Sequence, residues 1–284
     1  HKILMIYIKK VEYWQNRIII KTVKINNKKQ HIKECLMDVS QSIEKRVEWI
    51  RKILSDSGAK GIIYGNSGGK DCTLVGALCK LATPNVLGVI MPCQSSQNYG
   101  SDRDDALRAG KHFGIEQIEI DLSQTKQALL DALGDRLTEN NAGESSLKMA
   151  SVNINPRLRM TTLYALGQAR GYLVAGTGNL DEATLGYFTK WGDGAHDFNP
   201  IADLTVGEIY EHLRYLNAPI TIIEKAPSAG LYQGQTDESE LGIKYSDVDK
   251  YLRGGEIPDD VRAKIESAKR RSAHKLRMPM KYGE

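Results

Sequence analysis

A glycine-rich segment followed by an acidic residue carries the clearest chemical signal in the chain. The sequence GNSGGKD occupies residues 65–71 and separates a short apolar run from a predicted helix. A turn of this kind exposes successive backbone N–H groups, and the helix adds the positive end of its dipole. The segment can therefore hold a phosphate or pyrophosphate, with Ser67 as a further donor and Asp71 placed to bind Mg²⁺ beside it.

This segment does not match the Walker A loop. That pattern requires glycine where the chain has Tyr64 and a hydroxyl residue where it has Asp71. A structural turn in which Asp71 caps the helix is the alternative interpretation. The loop alone favours neither interpretation, because short glycine motifs often match by chance.

Short apolar runs alternate with helical patterns through most of the chain. Helices are predicted over about 37–55, 71–81, 102–113, 124–133 and 156–169, with another from Thr205. Strands are predicted at 61–65, 86–92, 117–122 and 172–178. This alternation predicts an α/β fold: a parallel sheet with helices on both faces and ligands at the carboxyl ends of its strands.

The first 34 residues have a composition of their own. They lack Gly, Ala and Pro and carry a charge of +7 within the chain's total of +4, which leaves −3 for residues 35–284. We expect an atypical basic arm at 1–36, with a hairpin around residues 15–17, and one domain at 37–284. A nucleic-acid binder would carry its basic residues on the folded domain, so no nucleic-acid partner is expected. The run ILMIYI is shorter than a signal-peptide core, and no membrane span is expected.

The cysteines suggest neither a zinc site nor a disulfide framework. They show no Cys-x-x-Cys spacing and no nearby histidine cluster. A reducing cytoplasm is the expected compartment. The four are Cys35, Cys72, Cys79 and Cys93.

Several separated motifs together resemble one enzyme family. SGGKD after a strand resembles the Ser-Gly-Gly-x-Asp signature of ATP pyrophosphatases. The similarity continues through NPRLRMTTLYALGQARGYLVAGTGNLDEATLGYFTKWGDGAHDFNPIADLT, KAPSAGLYQGQTDESELGIKYSDVDKYL and AHKLRMP. Over about residues 37–280 the chain is similar to the ammonia-dependent NAD synthetases.

This resemblance implies an adenine nucleotide alpha hydrolase-like, Rossmann-like fold. It implies a cytoplasmic homodimeric ligase that forms a C–N bond in the last step of NAD biosynthesis. The substrates would be ATP, deamido-NAD⁺ and ammonia, and the products AMP, diphosphate and NAD⁺, formed through an acyl-adenylate. Mg²⁺ is the implied cofactor. We expect free ammonia as the nitrogen source, with a separate glutaminase as the alternative, because the arm is too short for an amidase domain.

The resemblance also implies roles for single residues. Asp193 would be the catalytic residue that receives ammonia, and Asp71 and Glu182 would hold Mg²⁺. The residues implied to bind ATP are Gly65, Asn66, Ser67, Gly68, Gly69, Lys70, Asp71, Cys72, Thr177 and Ser228. Those implied to bind deamido-NAD⁺ are Arg157, Lys190, Asp197, His274 and Lys275.

Several of these implied roles have structural alternatives. Glu182 could be a solvated helix residue, and Arg157 could be an ordinary surface residue. Lys190 and Asp193 could form a salt bridge within their glycine-rich turn. Asp197 could order its own loop instead of binding substrate. His274 and Lys275 could belong to a mobile polar tail.

Two positions depart from the family pattern. Cys72 replaces a serine that commonly ends the signature, which exchanges a good donor for a weak one. Val206 stands where many members carry a lysine that contacts ATP phosphate. Lys70 and Lys225 are the two candidate substitutes for that lysine. Both departures concern ATP affinity more than reaction type.

Two other functions are open from the sequence. One is a different ATP pyrophosphatase, such as the amidating half of GMP synthetase, which shares the loop but not the later motifs. The other is a nucleotide-binding sensor that has lost turnover, which the changes at Cys72 and Val206 favour. Retained Asp71, Glu182 and Asp193 favour an active enzyme.

Overall fold

The computed structural model describes residues 38–94, 100–139, 143–225 and 237–283. The chain divides into two compact units, His1–Glu44 and Lys45–Glu284. Only residues 38–44 of the first unit are described, and they are helical. The hairpin predicted near residues 15–17 and the predicted ATP ligand Ser228 lie outside the described residues, and the predicted domain boundary stays a prediction.

A four-stranded parallel sheet forms the centre of the second unit. The strands lie in the order β3-β2-β1-β4. In the register, Ile63 pairs with Leu87 on one side and with Val174 on the other. The strands are β1 (Gly61–Gly65), β2 (Val86–Ile90), β3 (Glu116–Glu119) and β4 (Tyr172–Val174). Both faces of β1 are buried, as expected for a parallel sheet between helices, and the predicted fold class is confirmed.

Helices connect and follow these strands. Two 3₁₀ turns, Gly134–Leu137 and Ala273–Leu276, follow α4 and α11. In the described part of the chain, no helix is both long and apolar enough to cross a bilayer. The helices are α1 (38–57), α2 (Lys70–Ala82), α3 (Ser101–Phe113), α4 (Ser123–Leu133), α5 (Glu144–Arg170), α6 (Leu180–Leu185), α7 (Val206–Tyr215), α8 (Ile220–Ile223), α9 (Asp237–Leu241), α10 (Tyr245–Leu252) and α11 (Asp259–Ser272).

Two apolar clusters hold these elements in place. One joins the sheet to the inner side of α5 and includes Ile63, Leu87 and Val174. The other joins α6, α10 and α11 through Leu185, Val248 and Ile265. The second cluster fixes the end of α11, and it therefore determines where the following turn, Ala273–Leu276, lies.

Helix α5 begins twelve residues before the predicted start at Pro156. It runs for 27 residues from Glu144 and carries Pro156 in its interior. A proline usually ends or starts a helix because it removes one backbone donor. Here the buried Asn155 side chain contacts Cys93, with Cys93 Sγ 3.3 Å from Asn155 Oδ1. This tertiary contact, which sequence periodicity does not show, accompanies the continuation of the helix through the proline.

Candidate active site

The carboxyl ends of β1, β2 and β4 open into one cavity of about 800 Å³. Its walls come from the segment 65–72 after β1, from α3 and α5, and from the segments 174–178 and 186–195 after β4. Lys225, His274 and Lys275 also line it, as does Glu182. The cavity therefore lies at the edge of the sheet where the sequence predicts ligands to bind, and ligand binding there stays a prediction.

Asn66 shapes the bend that leaves β1. Its side chain is buried, accepts a hydrogen bond from Gly68 N at 3.1 Å, and donates to Ala106 O at 3.1 Å and Gln117 Oε1 at 2.9 Å. The first bond closes the turn, and the other two tie it to α3 and β3. Asn66 therefore sets the shape of the segment that faces the cavity.

Gly68 is required by both conformation and space. Its φ is +75°, which L side chains rarely adopt, and a Cβ atom would lie 2.2 Å from Asp102 O and 2.8 Å from Ala106 N. The bend therefore packs directly on the backbone of α3. Only glycine fits at this position.

The N-terminus of α2 faces the cavity without a side-chain cap. Gly69 is the N-cap residue and, as glycine, makes no side-chain cap bond, while its own backbone N donates to Ser67 Oγ at 3.4 Å. Asp71 does not cap the helix, because its carboxylate accepts from the side chains of Lys70 and Asn179 instead. The structural-turn interpretation therefore does not account for Asp71, and the first backbone donors of α2 suit an anion.

Cys72 lies beneath the bend as a neutral group. Its Sγ is 3.2 Å from Gly69 O, 3.4 Å from Ser67 Oγ and 3.4 Å from Asn66 Oδ1. Burial raises the pKa of the Cys72 thiol, so it stays protonated and can donate to these oxygens. The thiol thus occupies the position of the family's serine while keeping contact with the bend.

Asn179 links the two acidic residues of the site. Its Nδ2 donates to Asp71 Oδ1 at 3.0 Å, and its backbone N donates to Glu182 Oε2 at 2.9 Å. Its Oδ1 accepts from Glu182 N at 2.9 Å, which completes a capping box at the start of α6. The sequence analysis missed Asn179, although the spacing Asn-x-x-Glu is a recognisable capping signal.

The carboxylates of Asp71 and Glu182 interact at close range. Desolvation raises the pKa of Glu182 well above its ordinary value, and the negative charge of Asp71 raises it further. Lys70 places a positive charge beside Asp71, with Nζ 2.7 Å from Asp71 Oδ2. Mg²⁺ is commonly bound by one or two carboxylates together with substrate phosphates. Asp71 and Glu182 fit that arrangement.

The turn after β4 lies beside the bend after β1. Thr177 follows β4 in the sequence Gly-Thr-Gly, and both Thr177 and Asp71 line the cavity. Because β1 and β4 are neighbours in the sheet, these two residues follow adjacent strands.

Two arginines of α5 reach the cavity. Arg157 is exposed, and its Nη2 donates to Lys190 O at 3.4 Å. Arg159, which the sequence analysis did not select, donates from Nε to Met91 O at 3.0 Å at the end of β2. Burial lowers the pKa of Arg159, while the nearby charge of Asp193 opposes this. The sequence PRLR places Arg159 two residues after Arg157, and this second arginine was visible in the sequence.

Lys190 and Lys275 each donate to backbone carbonyls in or next to the segment that carries the other lysine. Lys190 Nζ donates to His274 O at 2.7 Å and Arg277 O at 2.8 Å. Lys275 Nζ donates to Gly186 O and Phe188 O, both at 2.8 Å. We call these four bonds the reciprocal lysine clamp. The clamp fixes the turn after α11 against residues 186–190, so this part of the tail is ordered by specific contacts.

Asp193 projects into the cavity from the same loop. Its Oδ1 accepts from Thr189 N at 3.0 Å. Desolvation by the cavity walls raises the pKa of the Asp193 carboxyl, and the positive charges of Lys275 and Arg159 oppose that rise. The Nζ of Lys190 bonds to the tail carbonyls, so the alternative of a Lys190–Asp193 salt bridge is not the arrangement found.

The side chain of Asp197 makes hydrogen bonds within the protein, and Asp197 does not line the cavity. Its Oδ1 accepts from Tyr164 Oη at 3.1 Å and its Oδ2 from Val174 N at 2.8 Å. These bonds extend the edge of β4 and order the loop, which was the structural alternative for this residue. His274 does line the cavity, with its ring Nδ1 3.1 Å from Arg271 O.

Comparisons with known proteins point to one family. A family model for NAD synthase matches residues 42–279. The ammonia-dependent NAD⁺ synthetase of Carboxydothermus hydrogenoformans is 44% identical over 240 residues, covering 84% of this chain and 96% of that protein.

Two solved structures resemble the fold closely. An NMN synthetase from Francisella tularensis has a TM-score of 0.79 and 32% identity, covering 87% of this chain and 99% of that one. An ammonia-dependent NAD synthetase from Campylobacter jejuni, in complex with nitrate, has a TM-score of 0.65 and 32% identity, covering 85% and 97%. With a matched model over most of its length and relatives of this similarity, the chain belongs to the NAD synthase family.

Proposed function

We propose that this protein is an ammonia-dependent NAD⁺ synthetase, a ligase that amidates deamido-NAD⁺ with consumption of ATP. The observation that carries the proposal is the convergence of three groups on one cavity. These are the uncapped N-terminus of α2, the carboxylates of Asp71 and Glu182, and the Asp193 loop. Curated relatives with this activity match over 96% of their own length, which supports the same reaction here.

The polyphosphate of ATP would bind at the bend after β1. Backbone N–H groups at the start of α2 and the hydroxyl of Ser67 face the cavity and suit phosphate oxygens. Asp71 and Glu182 would hold Mg²⁺, which neutralises charge on the phosphates when it is bound. Thr177 lines the same end of the cavity and would contact the nucleotide, and Ser228 remains a predicted ATP contact.

The chemistry is the activation of a carboxylate. The nicotinate carboxylate oxygen attacks the α-phosphorus of ATP, the bond to the bridging oxygen breaks, and diphosphate leaves. The product is an acyl-adenylate, whose leaving group is far better than oxide. Ammonia then attacks the acyl carbon, AMP departs, and an amide is formed. Fixed donors that match the developing charge supply most of the catalysis.

Asp193 is the proposed acceptor for the proton that ammonia loses. Its carboxylate reaches the cavity and is oriented by Thr189 N. A raised carboxyl pKa makes the anion a better base than an ordinary aspartate. The neighbouring cations Lys275 and Arg159 act against this rise in pKa by favouring the anion.

The opposite end of the cavity would receive deamido-NAD⁺. Arg157, Lys190, His274 and Lys275 bring positive charge or donors to one wall. Each ammonium group has three donors and each clamp lysine uses two for carbonyls, so one N–H on each is left for a substrate oxygen. Asp197 remains a predicted substrate contact, although its carboxylate oxygens accept from Tyr164 and Val174.

A second candidate acts on a mononucleotide. The structure with a TM-score of 0.79 is an NMN synthetase, and 99% of that chain is covered. Amidation of nicotinate mononucleotide would use the same activation chemistry without the adenylate half of the substrate. Sequence relatives with up to 44% identity favour the dinucleotide.

An amidation assay tests the proposal. Purified protein receives ATP, Mg²⁺ and ammonium with deamido-NAD⁺, nicotinate mononucleotide or xanthylate, and AMP and the amide are quantified. We expect stoichiometric AMP and NAD⁺ with deamido-NAD⁺. Preference for either other acid, ATP binding without AMP formation, or production of ADP and orthophosphate would overturn it. Glutamine in place of ammonium should give no product.

We also propose a cytoplasmic homodimer. The family resemblance motivates the dimer, and the exposed Met149 on α5 at the rim of the cavity offers apolar surface for a second copy. Light scattering after size-exclusion chromatography tests the assembly. The three described cysteines, Cys72, Cys79 and Cys93, are free and buried, which is compatible with a reducing compartment.

A further inference from the structure

Asn153 brings an amide side chain to the cavity from α5. It lies one helical turn before Arg157, and both residues line the cavity. Its Oδ1 accepts from Thr189 Oγ1 at 2.7 Å, in the loop after β4. This bond occupies the side-chain oxygen and gives the amide group one fixed orientation.

The nitrogen of the same amide is an unused donor. An asparagine Nδ2 carries two N–H groups. No acceptor binds them among the residues that the structure describes, and Asn153 Nδ2 is not one of the buried polar atoms without a partner. The two N–H groups are therefore accessible at the cavity that Asn153 lines.

Thr189 places this donor next to the proposed base. While the Thr189 hydroxyl binds Asn153, the backbone N of Thr189 donates to Asp193 Oδ1 at 3.0 Å. The amide and the carboxylate are thus bound to two polar groups of a single residue. A hydrogen-bond donor and a proton acceptor therefore lie side by side on the same wall of the cavity.

The loop that carries Thr189 is packed closely against α5. A Cβ at Gly192 would lie 3.0 Å from Pro156 Cβ and 3.1 Å from Thr189 Cβ, which is closer than side chains normally pack. Gly192 N and Gly194 N donate to Thr189 O, at 2.9 and 3.2 Å. These contacts fix the positions of the Asn153 amide and the Asp193 carboxylate before any substrate binds.

We propose that Asn153 is a further catalytic residue, whose Nδ2 donates to the acyl oxygen of the adenylate while ammonia attacks. The inference rests on the proposed function, because it names the group that stabilises charge in the second step of that reaction. A donor held in place beside the base is the arrangement that stabilises an oxyanion at little reorganisation cost.

The step creates a negative charge that needs such a donor. Ammonia forms a C–N bond with the acyl carbon, and the electron pair of the C=O bond moves to the acyl oxygen. Asp193 takes a proton from the nitrogen. The C=O bond then re-forms as the C–O bond to AMP breaks, and AMP leaves with that electron pair. Adenylate formation creates no such anion on the acyl oxygen, so the donor serves mainly the second step.

Two substitutions separate a donor from a structural anchor. Asn153→Asp keeps an oxygen for Thr189 Oγ1 but removes both N–H groups. Thr189→Val removes the hydroxyl but keeps the Asn153 amide and the backbone donor to Asp193. Exchange of diphosphate into ATP at saturating deamido-NAD⁺ measures adenylate formation, and single-turnover production of NAD⁺ measures amidation.

We expect Asn153→Asp to keep exchange within about threefold of wild type while amidation falls about 100-fold or more, the usual loss for one oxyanion donor. Thr189→Val should lose no more than about tenfold in either assay, because the donor itself remains. If Asn153 were only an anchor, Thr189→Val would be the more damaged of the two variants.

Asn153→Ala removes the donor without adding a negative charge beside the substrate. Its amidation should fall as far as that of Asn153→Asp. The acidic limb of its profile of kcat/KM against pH should stay in place, because Asp193 keeps its bond from Thr189 N. A shift of that limb would show that Asn153 acts through Asp193 and would overturn the inference.

Asn85→Asp is the matched control, because Asn85 precedes β2 at the edge of the sheet opposite the cavity. Its Nδ2 donates to Lys60 O at 2.9 Å. Both of its half-reactions should match those of wild type. Amidation by Asn153→Asp and Asn153→Ala within about tenfold of wild type, equal losses of exchange and amidation, or a loss in Thr189→Val as large as in Asn153→Ala would each contradict the donor role.

The proposed function and the donor role can fail separately. Production of NAD⁺ by the wild type tests the function. The ratio of amidation to exchange across the variants tests Asn153, and it is measured with whichever acid the wild type amidates.

Discussion

The carboxyl groups of Asp181 and Asp249 meet at the N-terminus of α7, where each accepts from a backbone N–H. Asp181 Oδ2 accepts from Val206 N at 2.9 Å, and Asp249 Oδ2 accepts from the next residue, Gly207 N, at 3.0 Å. Neither Oδ1 atom has a donor among the described residues. Burial and the neighbouring Asp249 raise the pKa of Asp181 to about 8. A proton shared between the two carboxyl groups supplies the missing hydrogen bond.

This pair predicts a pH dependence of folding stability. In the unfolded chain Asp181 ionises near 4, so between about pH 4 and 8 the folded state binds more protons and stability falls as pH rises. Asp181→Asn supplies a permanent donor to Asp249 and removes this dependence. Relative to wild type, its melting temperature in EDTA should be roughly 10 °C higher at pH 8.5 than at pH 5, which is about 4 kcal/mol.

Asp131→Asn, at an exposed position of α4, is the control for this comparison. Its melting temperature should equal that of wild type at both pH 5 and pH 8.5. Melting curves of Asp181→Asn that run parallel to wild type from pH 5 to pH 8.5 would rule out the shared proton.

The sequence predicted the parallel sheet because its strands and helices follow from local periodicity. It predicted which edge of the sheet carries the cavity because ligands of α/β sheets bind at the carboxyl ends of the strands. The strands predicted at 61–65 and 172–178 are neighbours in the sheet, and the residues that follow them, Asp71 and Thr177, line the same cavity. The hydrogen bonds that shape the site could not be predicted, because they join residues far apart in the chain. Asn179 donates to Asp71, and Lys190 donates to the carbonyl of His274. Pro156 shows the same limit, because a local rule placed a helix start where tertiary contacts continue the helix.

Removing either proposed metal ligand should separate catalysis from nucleotide binding. Asp71→Asn and Glu182→Gln keep the size and the acceptor oxygen of each side chain but remove one negative charge. We expect kcat to fall by on the order of 100-fold or more in each. ATP binding in EDTA should be unchanged or tighter, because less negative charge faces the phosphates. Asp104→Asn, at an exposed position on α3, should have normal kcat. Near-normal rates in both variants would remove the metal assignment.

The two half-reactions should respond differently to a change at Asp193. Asparagine can still accept the hydrogen bond from Thr189 N, but it cannot take a proton. Asp193→Asn should therefore retain deamido-NAD⁺-dependent exchange of diphosphate into ATP while amidation falls by about 100-fold or more. Equal loss of exchange and amidation would show that Asp193 acts before ammonia attacks.

The reciprocal lysine clamp predicts a shift in the pH profile. The positive charge of Lys275 lowers the pKa of Asp193, so Lys275→Met should raise it. Because a base works only when ionised, the acidic limb of the profile of kcat/KM against pH should move to higher pH. Lys190→Met breaks the other half of the clamp without removing the charge near Asp193. It should weaken deamido-NAD⁺ binding and leave the acidic limb in place, and equal shifts in both variants would contradict the charge argument.

The bend after β1 offers a test that separates backbone strain from steric conflict. Gly68 and Gly58 both have positive φ, at +75° and +68°. A Cβ at Gly58 would meet nothing within 4 Å, whereas one at Gly68 would lie 2.2 Å from Asp102 O. Gly58→Ala should therefore cost only about 1 kcal/mol, the usual cost of a left-handed alanine. Gly68→Ala must also push the bend away from α3, so it should unfold several degrees lower and lose ATP binding. Chemical denaturation and calorimetry on both variants measure these quantities, and equal stability losses with intact ATP binding would show that the bend does not need its contact with α3.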